Sequence, residues 1–213
     1  TKDFLDDIGA TNVNELLIYA TGMEAAGPGG NFSNSTGGDI NNTQVVGDES
    51  RNSPQTQSRT RGLVNPNTTR GFFISDFGLD SYSTESVTVS RGPNAILFGV
   101  GSPVGVVDYQ TLKPDLRQNK NKVEFRYGDN DSMRTNVDFN RVLIPKKLAF
   151  RFAAIDDQER YDQRPAFENK RRIYGALTYE PLRSTAIRAN FESGHTRANR
   201  PFAVPPFNSI SPQ

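Results

Sequence analysis

Residues 87–108 read VTVSRGPNAILFGVGSPVGVVD, the most distinctive stretch of the chain. Pro93 suits the first position of a short helical turn, because its missing N–H would have no helical partner there. Gly99 ends that turn, and Gly101 and Gly105 permit a tight backbone reversal with close packing. The stretch therefore predicts a strand, a helical turn and a return strand in a compact arrangement.

The glycines of this stretch also resemble, loosely, the fingerprint of a dinucleotide-binding fold. In that fingerprint three glycines open a helix directly after a strand. Here the third glycine comes one residue late, Pro103 interrupts the pattern, and a strand follows where a helix is required. We therefore do not assign a nucleotide site to these residues.

One helix is predicted upstream. Asn12 is placed to cap it, and Glu15 completes a pair that resembles a capping box. Apolar residues recur with helical spacing along one face, and these are Val13, Leu16, Leu17 and Ala20. Gly22 is placed to end the helix in the left-handed conformation.

The segment from Gly27 to Arg61 is polar and too poor in apolar residues to build its own core. Composition predicts a mobile loop, whereas the tendency of long loops to be functional favours a ligand-facing one. Both interpretations remain open. The polar residues that we select as ligand-facing candidates are Asn31, Ser33, Asn34, Asn41 and Asn42.

After residue 120 apolar and polar residues alternate, which is the period of a two-faced β-strand. The alternation occurs in five segments, which are 122–127, 135–140, 148–152, 172–179 and 187–192. Because no helix separates them, we expect five antiparallel neighbours. Alternation does not distinguish a soluble sheet, whose apolar face packs on a core, from a barrel, whose apolar face meets lipid. On these strands alone the soluble sheet is the commoner structure.

The connections between these segments differ in length. Residues 145–147 and 181–184 form tight turns, whereas 156–169 and the residues after Gly194 are longer polar segments. Tight turns on one side and longer loops on the other are typical of an outer-membrane barrel. The pattern places the lone His195 at the start of a loop, as a solvated residue.

Composition excludes several classes of protein. Lys plus Arg total 25 and Asp plus Glu total 24, so the chain lacks the excess of basic residues that is typical of nucleic-acid-binding proteins. Without cysteine, disulfide frameworks and thiolate metal sites are excluded. No apolar run approaches the roughly 18 residues of a transmembrane helix. Adjacent carboxylates such as Asp156 and Asp157 are more often solvated than catalytic, so the pattern does not favour an enzyme.

The stretch 87–108 resembles the signature of the plug domain of TonB-dependent outer-membrane receptors. That signature is a strand, Arg-Gly-Pro, a short apolar turn ending in aromatic-Gly, a glycine-rich bend and a second strand. Thr60-Arg61-Gly62 lies where the family shows Ile-Arg-Gly, and the early helix is similar to the first plug helix. Asp108 occupies a position that is typically Asn in the family.

This resemblance implies an α+β plug domain over residues 1–115, lacking its extreme N-terminus, and the first five or so antiparallel β-strands of an incomplete transmembrane β-barrel over 120–213. Barrels of this class have about 22 strands, so five do not close. The energy-coupling segment called the TonB box is expected upstream of this chain.

The implied function is active import of a scarce, bulky nutrient across the outer membrane. A ferric siderophore is the commonest substrate of the family, and vitamin B12 and oligosaccharides are others. The expected partners are TonB, the nutrient ligand and outer-membrane lipid, with no nucleic acid. No cofactor, resident metal or catalytic residue is expected, because transport breaks no covalent bond.

The resemblance also selects residues. Those of the plug signature are Arg61, Gly62, Arg91, Gly92, Pro93, Gly99, Gly101 and Gly105. We expect Arg61 and Arg91 to make buried contacts, either with barrel carboxylates, as the family implies, or with plug carbonyls. For Phe72, Phe73, Phe77 and Tyr82, packing inside the plug is the principal expectation. Ligand contact is the alternative, and Tyr82 is retained as a ligand-facing candidate.

Two other classes remain open. A soluble β-rich binding module or adhesin would pack the apolar strand faces against a second layer. A passive porin would have no plug and hence no use for the Arg-Gly-Pro stretch.

Overall fold

The computed structural model describes residues 1–25, 58–63, 65–92, 102–182 and 184–199. The chain divides into two compact units at the junction of Thr111 and Leu112. This division falls slightly before the predicted end of the first domain at residue 115. Among the described residues no helix is both long and apolar enough to cross a membrane.

The first unit combines two short helices with two small sheets. Its elements are α1 (Lys2–Asp7), α2 (Val13–Leu17), β1 (Met23–Ala25), β2 (Ser58–Thr60), β3 (Asn67–Arg70), β4 (Phe73–Ile74), β5 (Thr84–Arg91) and β6 (Gly105–Thr111). Strands β1 and β2 form an antiparallel pair. The other four form a sheet in the order β4-β3-β6-β5, in which only β3 and β6 are parallel.

Helix α2 begins as predicted but ends early. The Asn12 side chain accepts the backbone N–H groups of Asn14 and Glu15, and Glu15 accepts the N–H of Thr11 at 2.6 Å. The helix ends at Leu17, and Gly22 adopts the predicted left-handed conformation (φ +70°) in the turn before β1. Helix α1 was not predicted, although Thr1 caps it by accepting the N–H of Phe4.

The core of the first unit lies between α2 and the strands. One buried cluster consists of Val13, Leu17, Met23, Ala25, Leu79, Val107 and Tyr109, and a second consists of Leu5, Ala10 and Leu16. Strands β5 and β6 pair through Gly105, where a side chain would place its Cβ 2.1 Å from the carbonyl oxygen of Ser90. Only glycine fits this approach, as the signature predicts.

The second unit is one five-stranded antiparallel sheet in sequential order. Its strands are β7 (Lys120–Tyr127), β8 (Met133–Ile144), β9 (Leu148–Arg160), β10 (Phe167–Leu182) and β11 (Thr185–Asn199). The five predicted antiparallel neighbours are confirmed. A short 3₁₀ turn, Asp129–Asp131, lies between β7 and β8.

All five strands are longer than the predicted segments, and β9, β10 and β11 extend furthest. The polar segment 156–169 contains the end of β9 and the start of β10, and β11 continues past Gly194. The prediction that His195 lies in a loop is therefore wrong, because His195 pairs with Arg171 inside the sheet. Hydrophobic alternation missed these extensions because both faces are polar there, and charged pairs such as Arg171 with Asp156 replace apolar contacts.

Candidate ligand-binding surface

A tight hairpin joins β3 to β4 and carries exposed aromatic side chains at its tip. Gly71 and Phe72 both have positive φ, at +56° and +74°. The N–H of Gly71 donates to the Tyr109 carbonyl at 3.1 Å, and the N–H of Ser75 donates to the Thr68 carbonyl at 3.2 Å. The left-handed conformation is unusual for a residue as bulky as Phe72, so other groups must hold this turn.

Asp108 of β6 holds the turn from beneath. Its carboxylate is 1% exposed, and Oδ1 accepts both the hydroxyl of Thr69 at 2.6 Å and the backbone N–H of Phe72 at 2.7 Å. The other oxygen accepts the side-chain amide of Gln110 at 2.6 Å. Three donors therefore compensate for burying this carboxylate.

Tyr109, the next residue of β6, holds the segment that follows the hairpin. Its ring is buried, and its hydroxyl lies 2.5 Å from the carbonyl oxygen of Phe77 and 3.2 Å from the hydroxyl of Ser75. Asp108 and Tyr109, which are successive residues of β6, thus fix the β3–β4 hairpin and the segment that follows it.

The result is a group of exposed apolar side chains on a rigid base, which we call the aromatic ridge. Its members are Phe72, Phe73, Ile74 and Phe77, with exposed fractions of 59%, 80%, 60% and 72%. Packing inside the unit was the principal expectation for the three phenylalanines, and it is wrong. Apolar side chains that are exposed together on a fixed backbone often mark a binding surface.

Tyr82 differs from its aromatic neighbours. Its side chain is 0% exposed, and its backbone N–H donates to the Asp80 carboxylate at 3.2 Å. Burial supports packing over ligand contact for this residue.

The signature arginines do not have the expected burial. Arg61 and Arg91 are both exposed, so the expectation that they are buried is wrong for this structure. Arg61 has φ +53°, and its N–H donates to the Gly22 carbonyl at 2.9 Å. Gly62 (φ +69°) and Gly92 (φ +90°) occupy conformations that favour glycine. The barrel carboxylates named as partners of Arg61 and Arg91 stay a prediction.

Several predicted residues lie outside the described parts of the chain. They are Pro93, Gly99 and Gly101 of the signature and the polar loop candidates Asn31, Ser33, Asn34, Asn41 and Asn42.

The sheet of the second unit has one polar and one apolar face. Along β8, Arg134, Asn136, Asp138 and Asn140 alternate with Thr135, Val137 and Phe139. Each of these four polar residues is at most 8% exposed. Ion pairs link this polar face across strands, with Arg134 Nη1 2.6 Å from Asp157 Oδ2 and Arg151 Nη2 2.7 Å from Asp138 Oδ2.

The opposite face is apolar and exposed. Outward side chains of β7, β10 and β11 include Val123, Phe125, Ile173, Leu177, Ile187 and Phe191, each at least 37% exposed. A soluble sheet normally buries its apolar face and exposes its polar face to water. The second unit has the reverse arrangement.

No protein-family model matches the sequence, but curated relatives and solved structures do. The chain is 26% identical over 113 residues to the ferrichrome outer membrane transporter/phage receptor of Escherichia coli K12, covering 53% of this chain and 15% of that protein. It is 25% identical over 203 residues to the ferrioxamine receptor of Yersinia enterocolitica, and this match covers 90% of this chain and 26% of that protein. The chain thus spans about a quarter or less of the length of these relatives.

The fold agrees with solved receptors over nearly the whole chain. The ferric-catecholate import receptor of E. coli K12 in its open form superposes with a TM-score of 0.70 at 15% identity, over 92% of this chain and 26% of that one. The chain is therefore similar in sequence and in fold to TonB-dependent siderophore receptors of the outer membrane. The predicted resemblance of the chain to this family is confirmed.

The second unit has a further feature that sequence analysis missed. Residues 112–119, which we call the strap, connect the end of the first unit to β7 and are hydrogen-bonded to side chains of the sheet. The Tyr174 hydroxyl donates to the Leu112 carbonyl at 2.7 Å, and Arg151 Nη1 donates to the Lys113 carbonyl at 2.9 Å. Tyr174 and Arg151 thereby fix the start of the strap.

Asn140 binds the middle of the strap with both ends of its amide. Its Oδ1 accepts the N–H of Asp115 at 2.9 Å, and its Nδ2 donates to the carbonyls of Asp115 at 2.9 Å and Gln118 at 2.7 Å. Asn140 is 2% exposed. In the sequence it was one of several polar residues alternating along β8, and nothing there distinguished it from its neighbours.

Among the described residues no cluster of His, Asp and Glu side chains could hold a metal ion. The chemistry that the described surfaces offer is noncovalent recognition by exposed aromatic rings, charged pairs and hydrogen-bonded backbone.

Proposed function

We propose that the chain forms the plug and the first five barrel strands of a receptor that imports a ferric siderophore across the outer membrane. In this assignment the first unit is the plug and the second unit is part of the barrel wall. TonB supplies the energy for import, and no covalent bond of the substrate changes.

The observation that carries the proposal is the inverted polarity of the five-stranded sheet. Exposed apolar side chains cover one face, while on the other face the charged and amide side chains of β8 are buried. A barrel wall requires this arrangement, because its outer face contacts hydrocarbon and its inner face is polar. Strands β9, β10 and β11 have 13, 16 and 15 residues, more than the roughly 9–11 that a membrane-spanning strand needs.

The aromatic ridge is our candidate for ligand contact in the plug. Phe72, Phe73 and Phe77 are exposed, and buried hydrogen bonds from Asp108 and Tyr109 fix the backbone that carries them. A pre-organised aromatic surface loses little entropy when it binds a bulky ligand. The polar loop candidates from Asn31 to Asn42 stay a second prediction for the same role.

The choice of a siderophore follows from the relatives, whose names specify ferrichrome, ferrioxamine and ferric catecholate. These ligands differ in iron-binding chemistry, so the proposal extends to ferric siderophores as a class. A soluble β-rich binding module is the rival function, and it requires a second layer over the apolar face.

The test is uptake of radioactive iron by cells that express the full-length protein as their only siderophore receptor. Ferrichrome, ferrioxamine B and a ferric catecholate are supplied separately, with and without an uncoupler of the proton-motive force. We expect at least one complex to be accumulated, and accumulation to stop with the uncoupler. Uptake that continues without the proton-motive force indicates a porin. A full-length protein that is soluble without detergent supports the binding module instead.

A further inference from the structure

A trough runs along the apolar face of the second unit, following β10. Gly175 forms its floor, and register places Gly175 opposite Phe152 of β9 and Phe191 of β11. Because glycine has no side chain, the space between these two rings stays open. Ile173 and Leu177 flank it, and the open volume is about 380 Å³.

A second depression, of about 500 Å³, continues the trough toward the start of β10, and Ile173 lines both. Small side chains keep it open, since Ala154 and Ser193 both lie opposite Ile173. At its far end it is lined by Arg171 and His195. The trough therefore changes along its length from apolar to cationic.

Two further arginines extend the cationic end. Phe167 lies between them, with the guanidinium carbons of Arg160 and Arg197 at 5.8 Å and 6.0 Å from its ring centroid. Arg160 also donates to the Asn169 amide oxygen at 2.6 Å. These contacts position both cations on the same face as the trough.

One carboxylate belongs to this group. Asp156 pairs with Arg171 at 3.0 Å, yet the Arg171 side chain remains 74% exposed. Three guanidiniums thus face one carboxylate, and the cationic end carries a net positive charge.

The cationic end lies at the side of the sheet with the longer connections. Residues 161–166 join β9 to β10 there, whereas the three-residue connection 145–147 and the short step from Leu182 to Thr185 lie at the opposite side. In outer-membrane barrels the longer loops face the exterior. The cations therefore lie at the level of the outer-leaflet headgroups.

We propose that this trough binds one molecule of a phosphate-bearing lipid of the outer leaflet. An acyl chain lies over Gly175 between Phe152 and Phe191, and the phosphate contacts Arg171 and Arg197. The inference rests on the proposed function, because it requires the apolar face to lie in hydrocarbon. Charge complementarity and the change from apolar to cationic along one trough match the two ends of such a lipid.

The experiment uses the full-length receptor in an uncharged detergent, titrated with bisphosphorylated lipid A and observed by native mass spectrometry. The main variant is Arg171→Gln with Arg197→Gln. Each cation near an anionic lipid surface contributes about a fivefold gain in binding, so we expect about a 25-fold loss for the pair. Arg141→Gln is the matched control, because Arg141 is an exposed arginine on the same face, outside the trough, bound to Asn121.

A second variant, Gly175→Leu, tests the apolar part. A Cβ at Gly175 meets its nearest neighbour, Phe150, at 3.8 Å, an ordinary contact, so the added side chain fills the trough without displacing the backbone. We expect weaker lipid binding, whereas Val123→Leu, at an exposed position of β7, leaves binding unchanged.

Equal binding of lipid A by the wild type and the double arginine variant overturns the proposal. So does equal binding of dephosphorylated lipid A, and so does competition by inorganic phosphate alone at the lipid's concentration. Iron uptake is measured on the same variants. Retained uptake with no lipid binding rejects the lipid site alone, whereas absence of uptake in the wild type rejects the proposed function.

Discussion

The buried carboxylate of Asp108 accepts the backbone N–H of Phe72 at 2.7 Å, across 36 positions of sequence. This bond fixes a non-glycine residue in the left-handed conformation, which costs about 1–2 kcal/mol without compensation. It therefore places the exposed ring of Phe72 at the tip of the β3–β4 hairpin. A buried residue of β6 thus determines the geometry of an exposed surface.

Replacing Asp108 with Ala is expected to loosen this hairpin. The change leaves the Thr69 hydroxyl and the Phe72 N–H without their acceptor, at a cost of about 1–3 kcal/mol. Hydrogen–deuterium exchange of the peptide containing Phe72 should accelerate by about tenfold or more. Asp108→Asn is the matched control, because its amide oxygen still accepts from Thr69 and Phe72. If the peptide exchanges as slowly in Asp108→Ala as in the wild type, Asp108 does not hold the turn.

Changing Phe73 to Ser is expected to weaken binding of the ferric siderophore without destabilising the protein. Phe73 is 80% exposed, so its loss creates no cavity. If it contacts the ligand, losing a buried aromatic contact costs about 1–2 kcal/mol, or roughly tenfold in affinity. Binding is measured by equilibrium binding of the radioactively labelled ferric complex to the full-length receptor. Leu63→Ser, at another exposed apolar position of the first unit, is the control, and equal affinity in both variants rejects the ridge as a ligand surface.

The sequence predicted those parts of the fold in which local chemistry is strong. The left-handed conformation of Gly22, the Asn12 cap and the alternation along β7 to β11 depend on near neighbours and were confirmed. The alternation of apolar and polar residues did not predict the end of β9 or the start of β10. Residues there, such as Asp157 and Lys170, are polar and pair with each other across the two strands. A periodicity based on hydrophobicity does not detect strands that are polar on both faces.

The candidate site was less predictable, because it depends on long-range contacts. Aromatic residues are usually buried, and this general tendency gave the wrong placement for Phe72, Phe73 and Phe77. Their exposure follows from Asp108 and Tyr109, which lie more than 30 positions away in sequence. In the sequence Asp108 was notable only as an unusual residue for the family, and its three hydrogen bonds were not foreseeable.

Replacing Asn140 with Ala is expected to release the strap. Three hydrogen bonds to Asp115 and Gln118 disappear, and the partly buried backbone groups of the strap lose their side-chain partner. We expect a loss of about 2–3 kcal/mol in the free energy of unfolding, measured by urea titration of the full-length protein in detergent. The control is Arg141→Ala, because Arg141 follows Asn140 in β8 and its side chain is exposed on the apolar face of the sheet. An equal, small effect of both changes would show that the strap does not depend on Asn140.

A charge on the apolar face tests whether that face lies in lipid. Phe191 is 64% exposed and lies on the same face as Gly175 and Phe152, so Phe191→Arg places a cation on the apolar face. In a barrel wall this costs about 2–4 kcal/mol near the bilayer midplane, whereas on the solvated face of a soluble sheet an exposed substitution is usually within about 0.5 kcal/mol.

The matched control for this change is Asn190→Arg, because Asn190 is also exposed and its side chain points to the polar face. Both variants of the full-length protein are folded into lipid vesicles, and the folded fraction is measured by the heat-dependent shift in gel mobility. We expect Phe191→Arg to fold poorly and Asn190→Arg to fold like the wild type, since a polar face accepts the added cation. Equal folding of the two variants would mean that the apolar face does not contact lipid, and the soluble binding module would then be the better assignment.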